Sequence, residues 1–445
     1  MVKNFFNVIL DSKFIKYFIL SFIALSLIFS RSFLGIYIMD FRVGEIFMAF
    51  SAAVLISVVF FNKYLFDRQL LGLVKILTVI IILFLMTAIV TRSSFVNVYT
   101  FKASSYVWSM GFLVLGIIYP KFQIKNKLTL FFLEAILISI FYVAVFDFPP
   151  SFINFFTSFS DKYEPHKGSD LVLNFVLLNL LIISSKKNRN EIFEIFLLNS
   201  SLFLPLLIYK SRAGFIATLC FILLQIFLKK EELKVFNFKR IVVYVSMVLT
   251  VIISTFLSQN YVIQDFSEET IGEIPTAFKT LGAYKFSKYQ EDYPFLYISN
   301  KRVYSGDGNL NWRLQLWQDA IEDNVASKSI ILGFGYKDKL PVFTENNLIN
   351  TAGIADGNDR RGLDGLNEHV HNYFLTIFLR GGLLHLIIFS VFYWKLFILV
   401  DKKNKLNYLK FFLPIIFVSL FDSSMENSHF PLIFYYFLGN QFLKN

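Results

Sequence analysis

Three short polar stretches in an otherwise apolar chain could carry chemistry. The first is NEHVHNYFLTIFLRGG, residues Asn367–Gly382, which holds two of the five histidines at the mouth of a hydrophobic run. A neutral imidazole at His371 can take a proton from a hydroxyl near pH 7. Glu368 lies three residues earlier, so on a helix it would share a face with His371 and could orient it. Asp364 precedes both in a Gly-flanked turn. The same helical geometry turns His369 away, and no role is assigned to it. The competing reading is a polar helix entry that supplies caps and interface anchors. The second stretch, KSRAGF (Lys210–Phe215), sets Lys210, Ser211 and Arg212 between two apolar runs. A guanidinium there suits a phosphate or diphosphate, because its planar fork makes paired charge-assisted hydrogen bonds. An interfacial arginine can equally snorkel to lipid headgroups. The third candidate is Arg313 in NWRLQLWQDAIEDN (Asn311–Asn324), close to Trp312 and Trp317; its alternative is a solvated helix charge. His385 falls inside an apolar run, and His429 lies in FDSSMENSHF with Glu426 near it.

Other chemistries are excluded by what is missing. The chain has no GxxxxGK[ST], no Rossmann glycine fingerprint and no HExxH. No Cys/His cluster has zinc spacing, so no metal or cofactor is expected. GFGYKDK (Gly333–Lys339) is only a glycine turn, which does not support nucleotide chemistry. The single cysteine, Cys220, sits in an apolar run and reads as packing.

The elements that must position these residues are membrane helices. Of 445 residues, 56% are hydrophobic and 56 are Phe, well above the apolar share of soluble domains. The apolar runs are continuous and not alternating, which implies an all-α polytopic protein and not a barrel. At roughly 20 apolar residues per crossing there are about twelve candidate spans. They lie near 14–31, 43–61, 71–90, 104–120, 128–148, 169–185, 192–209, 213–228, 240–258, 382–400, 409–421 and 431–443. The first has no small-residue cleavage site and is read as a retained span.

Charge then sets the orientation. The net charge of +11 does not by itself imply nucleic acid, because excess Lys and Arg marks cytoplasmic loops. KNKL (Lys125–Leu128), SKKNRN (Ser185–Asn190), KKEELK (Lys229–Lys234) and DKKNK (Asp401–Lys405) fall on one side, with Lys3, Lys13 and Lys16. Both termini are then cytoplasmic. The division is spans one to nine over 1–258, a large outer segment over 259–368, and an edge helix with the last spans over 369–445. A loop that long is usually functional or a small domain. Within it, Asn311 can cap a helix whose Leu314, Trp317 and Ile321 share a face. Tyr284, Tyr289, Tyr293, Tyr297 and Tyr304 would suit sugar stacking or a packed surface. Ionisable groups deep in the spans are few, Lys75 and Glu134 lying near predicted cytoplasmic ends, which argues against an ion-coupled transporter.

SRAG opening a span on the outer side, an outer loop with an Arg-Trp helix, and His371-Asn372 opening the next span together resemble the bacterial O-antigen ligase and O-antigen polymerase superfamily. Its pattern has His then Asn, Ser or Gln, nine residues, and Gly-x-x-Gly. Here Gly382 is in place and His385 stands at the final Gly. The resemblance covers roughly Ser211–Gly439, including ILGFGYKDK and MENSHFPLIFYYFLG. It implies a metal-independent, GT-C-like glycosyltransferase with a large, mostly helical periplasmic loop. Such an enzyme takes a glycan from undecaprenyl diphosphate in the outer leaflet of the inner membrane. On this sequence the diphosphate-binding roles fall on Arg212 and Arg313, with Lys210 beside them. The acceptor-activating role falls on His371, with Glu368; Asn372 and Ser211 support the two turns.

Two activities fit the resemblance. A polymerase joins carrier-linked repeat units, and a ligase moves the finished glycan to lipid A–core. A composition heavy in Phe, Ile, Lys, Asn and Tyr, as in many polysaccharide clusters, favours the polymerase. Expected partners are the carrier-linked oligosaccharide, the acceptor glycan, membrane lipids, and chain-length regulator or flippase proteins, with no nucleic acid. A flippase is a further class, disfavoured by the long outer segment. A purely structural membrane protein predicts that Arg212→Ala and His371→Ala leave surface glycan unchanged.

Overall fold

Inside a bilayer every backbone polar group must be satisfied within the segment, so apolar runs become helices. The computed structural model describes residues 13–65, 68–95, 97–119, 122, 127–184, 189–228, 238–262, 284–285, 292–293, 295–299, 301–306, 308–343 and 368–443. Asp364, Tyr289 and most of the basic loops lie outside them. The helices are α1 (Lys13–Leu34), α2 (Val43–Leu65), α3 (Arg68–Val90), α4 (Val98–Ala103), α5 (Ser105–Trp108), α6 (Gly111–Ile118), α7 (Lys127–Phe146) and α8 (Pro150–Phe159). There follow α9 (Gly168–Ile183), α10 (Arg189–Lys210), α11 (Arg212–Leu228), α12 (Phe238–Tyr261), α13 (Gly308–Ala326), α14 (Tyr373–Leu399), α15 (Lys405–Ser419) and α16 (His429–Phe437). Strand structure is confined to three two-stranded antiparallel pairs among the described residues.

Seven of these helices are long and apolar enough to cross a membrane: α1, α2, α3, α7, α10, α12 and α14. The expectation of twelve crossings is met only in part. The run at 104–120 is broken into α5 and α6, while α9 and α11 are apolar but shorter. At 1.5 Å per residue a 16-residue helix such as α9 spans about 24 Å, less than a full hydrocarbon core. The tenth run begins at Tyr373, nine residues before the position its hydropathy suggested, because Asn372 caps it there.

The chain divides into two compact units. The first comprises 1–75, 108–264 and 394–445; the second comprises 76–107 and 265–393. In the first, α9 is the central post, packed by α7, α10, α11 and α15. Leu171, Val172, Phe175, Leu178 and Ile182 are all fully buried on it. In the second, a core of Leu316, Ala320, Leu340, Val342, Phe343, Val370 and Leu379 is flanked by Trp312 and Trp317.

Helix α13 corrects two expectations. Asn311 lies inside it and not at its cap, and its side chain accepts from the Ser305 N–H at 3.1 Å. The buried face is Asn311, Gln315, Leu316, Asp319 and Ala320, whereas Ile321 is exposed. The polar members are buried because a hairpin, β1 (Tyr297–Ser299) with β2 (Arg302–Tyr304), docks on them. Gln318 receives the Val303 N–H at 2.8 Å and donates to the Val303 carbonyl at 2.9 Å. Arg302 adds an ion pair to Asp319 at 2.5 Å. Among the described residues α13 is the only α-helix that starts within 259–368, and the rest of the expected helical content lies outside the described residues.

Candidate functional site

His371 sits at a turn that the sequence forms for local reasons. Asn372 is the N-cap of α14: its carboxamide oxygen accepts the Leu375 N–H at 3.0 Å, and its carbonyl accepts the Thr376 N–H at 2.9 Å. Such a cap satisfies an otherwise orphaned helix donor. The residue before it, His371, is held at φ +52°, a left-handed conformation in which a non-glycine residue costs about 1–3 kcal/mol. The turn is kept in place from behind. Trp317 Nε1 donates to the Val370 carbonyl at 2.6 Å, and Val370 is fully buried. The His371 ring meets the edge of Trp312, with centroids 5.4 Å apart and planes at 69°. Arg313 follows Trp312 on α13, so the second unit brings His371 to the helix turn that carries Arg313.

The segment from Glu368 to Asn372 is not helical. The expected shared face of Glu368 and His371 therefore does not exist, nor does the argument that turned His369 away. Glu368 instead bridges two lysines, Lys102 at 2.7 Å and Lys339 at 3.0 Å. Partial burial alone would raise its pKa, but the hydrogen bonds and charges of Lys102 and Lys339 outweigh this and hold it below the ordinary carboxylate value.

After nine intervening residues beyond Asn372, α14 breaks. Gly382 has φ +73° and ψ −173°, a region essentially reserved for glycine. The break frees main-chain groups, and the loop 329–339 takes them up. Phe334 N–H donates to the Leu379 carbonyl at 2.7 Å, and Gly335 N–H to the Arg380 carbonyl at 3.0 Å. In return Leu383 N–H donates to the Ile330 carbonyl at 2.8 Å. Arg380, only 4% exposed, donates to the carbonyls of Asp338 at 2.6 Å and Gly335 at 3.2 Å, and to the Tyr99 hydroxyl at 2.9 Å.

His385 also finds its explanation here. It is fully buried, with Nδ1 3.0 Å from the Tyr106 hydroxyl, which in turn lies 2.8 Å from the Tyr336 hydroxyl. The imidazole fills the space over Gly381 and ties α14 to the docked loop, where a glycine would leave a void. Arg380, Tyr99, Lys102, Tyr336 and Lys339 had no sequence signal: their partners lie tens to hundreds of residues away.

The first unit holds the other candidate turn. Ser211 is the N-cap of α11, its hydroxyl accepting the Gly214 N–H at 3.1 Å. Arg212 opens α11 and Lys210 closes α10, both half-buried. Two cations thus flank a helix N-terminus, a place that favours anions. Gly168, the first residue of α9, packs on this turn so closely that a Cβ would lie 2.1 Å from that of Ser211. Two residues on, Asp170 accepts from Ser30 at 2.9 Å and pairs with His429 Nε2 at 2.8 Å. His429 is therefore a buried partner of Asp170 opening α16, and the expected proximity to Glu426 is not what holds it. His166, just before α9, donates Nε2–H to the Ile28 carbonyl at 2.9 Å; burial pushes its pKa down to about 4.

Residues 197–390 match the model of the O-antigen ligase family. Over this stretch, a little under half of its length, the chain is similar to that family, which supports the O-antigen ligase and polymerase superfamily. The stretch contains Lys210, Ser211, Arg212, Arg313, Glu368, His371 and Asn372, and it closes just beyond the break in α14. The match and the apolar helices support a multi-pass membrane protein with O-antigen ligase- or polymerase-type, glycosyltransferase-like activity. No curated protein matches the chain.

Proposed function

We propose that this membrane protein is a surface polysaccharide polymerase of the inner membrane, working on the periplasmic side. The donor is a glycan on undecaprenyl diphosphate, and the acceptor is a sugar hydroxyl of another carrier-linked repeat unit. The acceptor oxygen attacks the anomeric carbon, the bond from that carbon to the diphosphate oxygen breaks, and the lipid diphosphate leaves with the electron pair. His371 takes the acceptor's proton. Arg212 and Lys210, with Arg313, neutralise the departing diphosphate, which fixed cations do well in a partly dry site. Asn372 and Ser211 cap the helices that begin at these turns. Glu368 anchors Lys102 and Lys339. A chain-length regulator and a flippase are natural partners of such an enzyme.

The observation that carries this reading is the His371 turn: a histidine at positive φ, capped by Asn372 and fixed against Trp312, inside the matched family stretch. A second reading, transfer of the finished glycan to lipid A–core, is favoured by the description of that family as O-antigen ligase. The test is a gel of surface polysaccharide from a deletion strain carrying each variant. Arg212→Ala and His371→Ala giving single-repeat lipopolysaccharide indicate a lost polymerase. Bare core with glycan accumulating on the carrier indicates a lost ligase. An unchanged ladder with both variants sinks the enzyme reading.

A further inference from the structure

The second unit gathers positive charge that the reaction above leaves unused. Lys102 from α4 and Lys339 from the docked loop converge on one carboxylate, Glu368, at 2.7 and 3.0 Å. Behind them stands Arg380. Its guanidinium carbon lies 5.6 Å from the Tyr99 ring centroid, and Lys102 Nζ lies 5.8 Å from the same centroid. Among the described residues Arg380 meets two carbonyls and a phenol but no carboxylate. Among the described residues Lys102 and Lys339 thus share one carboxylate. Among the described residues Arg380 has no counterion, and a buried guanidinium is costly to keep, so its retention needs a reason.

The exposure pattern supplies one. Glu368 is inside, with 15% of its side chain accessible, whereas Lys102 and Lys339 are 51% and 41% accessible. Each ammonium has three donors and spends one on Glu368, so the remaining donors form a cationic face with Arg380 as its backing charge. A phosphoryl group fits that face, because its several oxygens accept from two ammoniums at once. Glu368 is three residues from His371, so an anion held here sits on the same segment as the group that handles the acceptor.

We propose that Lys102 and Lys339, backed by Arg380, bind a phosphoryl group carried by the acceptor. This rests on the glycosyl-transfer reading above. That phosphoryl group is either the diphosphate of a second carrier lipid or a phosphate of lipid A–core, and the experiment separates the two.

The test is equilibrium binding to the full-length protein in neutral detergent, with radiolabelled undecaprenyl diphosphate and phosphorylated lipid A–core as separate probes. If the acceptor is carrier-linked, wild type binds two equivalents of undecaprenyl diphosphate. Lys102→Gln/Lys339→Gln and Arg212→Ala then each bind one. If the acceptor is lipid A–core, the double lysine variant weakens that probe by about 10-fold or more. Lys102→Arg/Lys339→Arg restores binding in either case. Glu368→Gln tightens it several-fold, since the competing carboxylate is gone; a purely structural role for the cluster predicts no such gain. The proposal is overturned if the double lysine variant binds both probes as wild type does. It is equally overturned if phosphatidylglycerol vesicles compete as well as either probe. Full transfer by Arg212→Ala would refute the parent reading alone, because the lysine variants are scored by binding.

Discussion

Replacing Gly382 by alanine tests the central claim about α14, that its break is built to receive a loop. A Cβ on Gly382 would lie 2.1 Å from the Ile331 carbonyl oxygen and 2.5 Å from the Leu332 nitrogen. An ordinary carbon–oxygen contact needs about 3.3 Å, so the loop must retreat by roughly 1 Å. That retreat breaks the bonds from Leu383 N–H to Ile330 and from Leu384 N–H to Ile331, now 2.8 and 3.4 Å. Backbone strain of about 1–3 kcal/mol and two lost main-chain bonds give a loss of roughly 2–6 kcal/mol. The assay is a thermal scan of the purified protein at fixed rate, with tryptic cleavage after Lys328 and Lys337 as the local readout. The contrast is Gly381→Ala, where the obstacle is a side chain, His385 Nδ1 at 2.2 Å. Gly381→Ala and His385→Ala should therefore combine less than additively, whereas no side-chain truncation rescues Gly382→Ala. A Gly382→Ala protein with wild-type midpoint and no new cleavage would refute the docking argument.

Three further outcomes are expected. Asn372→Ala removes the cap of α14 and costs about 1 kcal/mol, read as a lowered thermal midpoint with a weakened polysaccharide ladder. His166 has a folded-state pKa depressed to about 4 from 6.5. The unfolded chain therefore takes a proton first as pH falls, and stability drops between pH 6.5 and 4 by up to about 1.4 kcal/mol per unit. His166→Gln, which keeps the donor to Ile28 but cannot titrate, flattens that slope in a midpoint-versus-pH series. Adding EDTA to a transfer assay with purified protein and carrier-linked glycan leaves the rate unchanged, since the proposed charge neutralisation uses arginines; a rate restored only by divalent cations would contradict it.

Much of the helical framework was legible because the bilayer imposes it. Runs such as 71–90 and 240–258 could become little else, and α3 and α12 lie there. Some runs gave shorter helices for a physical reason: a 16-residue helix like α9 is buried by neighbouring protein, so it need not match the membrane's thickness. The turns at Ser211 and Asn372 were legible because capping is local, each cap reaching only three residues ahead. What surrounds them was not. Glu368 could be assigned to His371 by spacing only if the segment were helical, and it is not. Its true partners, Lys102 and Lys339, and the pairing of Asp170 with His429, join residues from distant parts of the chain. No short-range pattern encodes such contacts.

Along 330–332 the dock at the α14 break is made of main-chain atoms. Ile331, whose carbonyl receives Leu384, leaves its own side chain 62% exposed. Selection at such a seam acts on spacing and not on identity. Side chains along 330–332 are free to drift in sequence, provided glycine persists at 333, 335 and 382. One inserted or deleted residue between Ser329 and Tyr336 would shift every donor off its acceptor. Among relatives, residues 330–332 should therefore vary in composition, while the loop hardly varies at all in length.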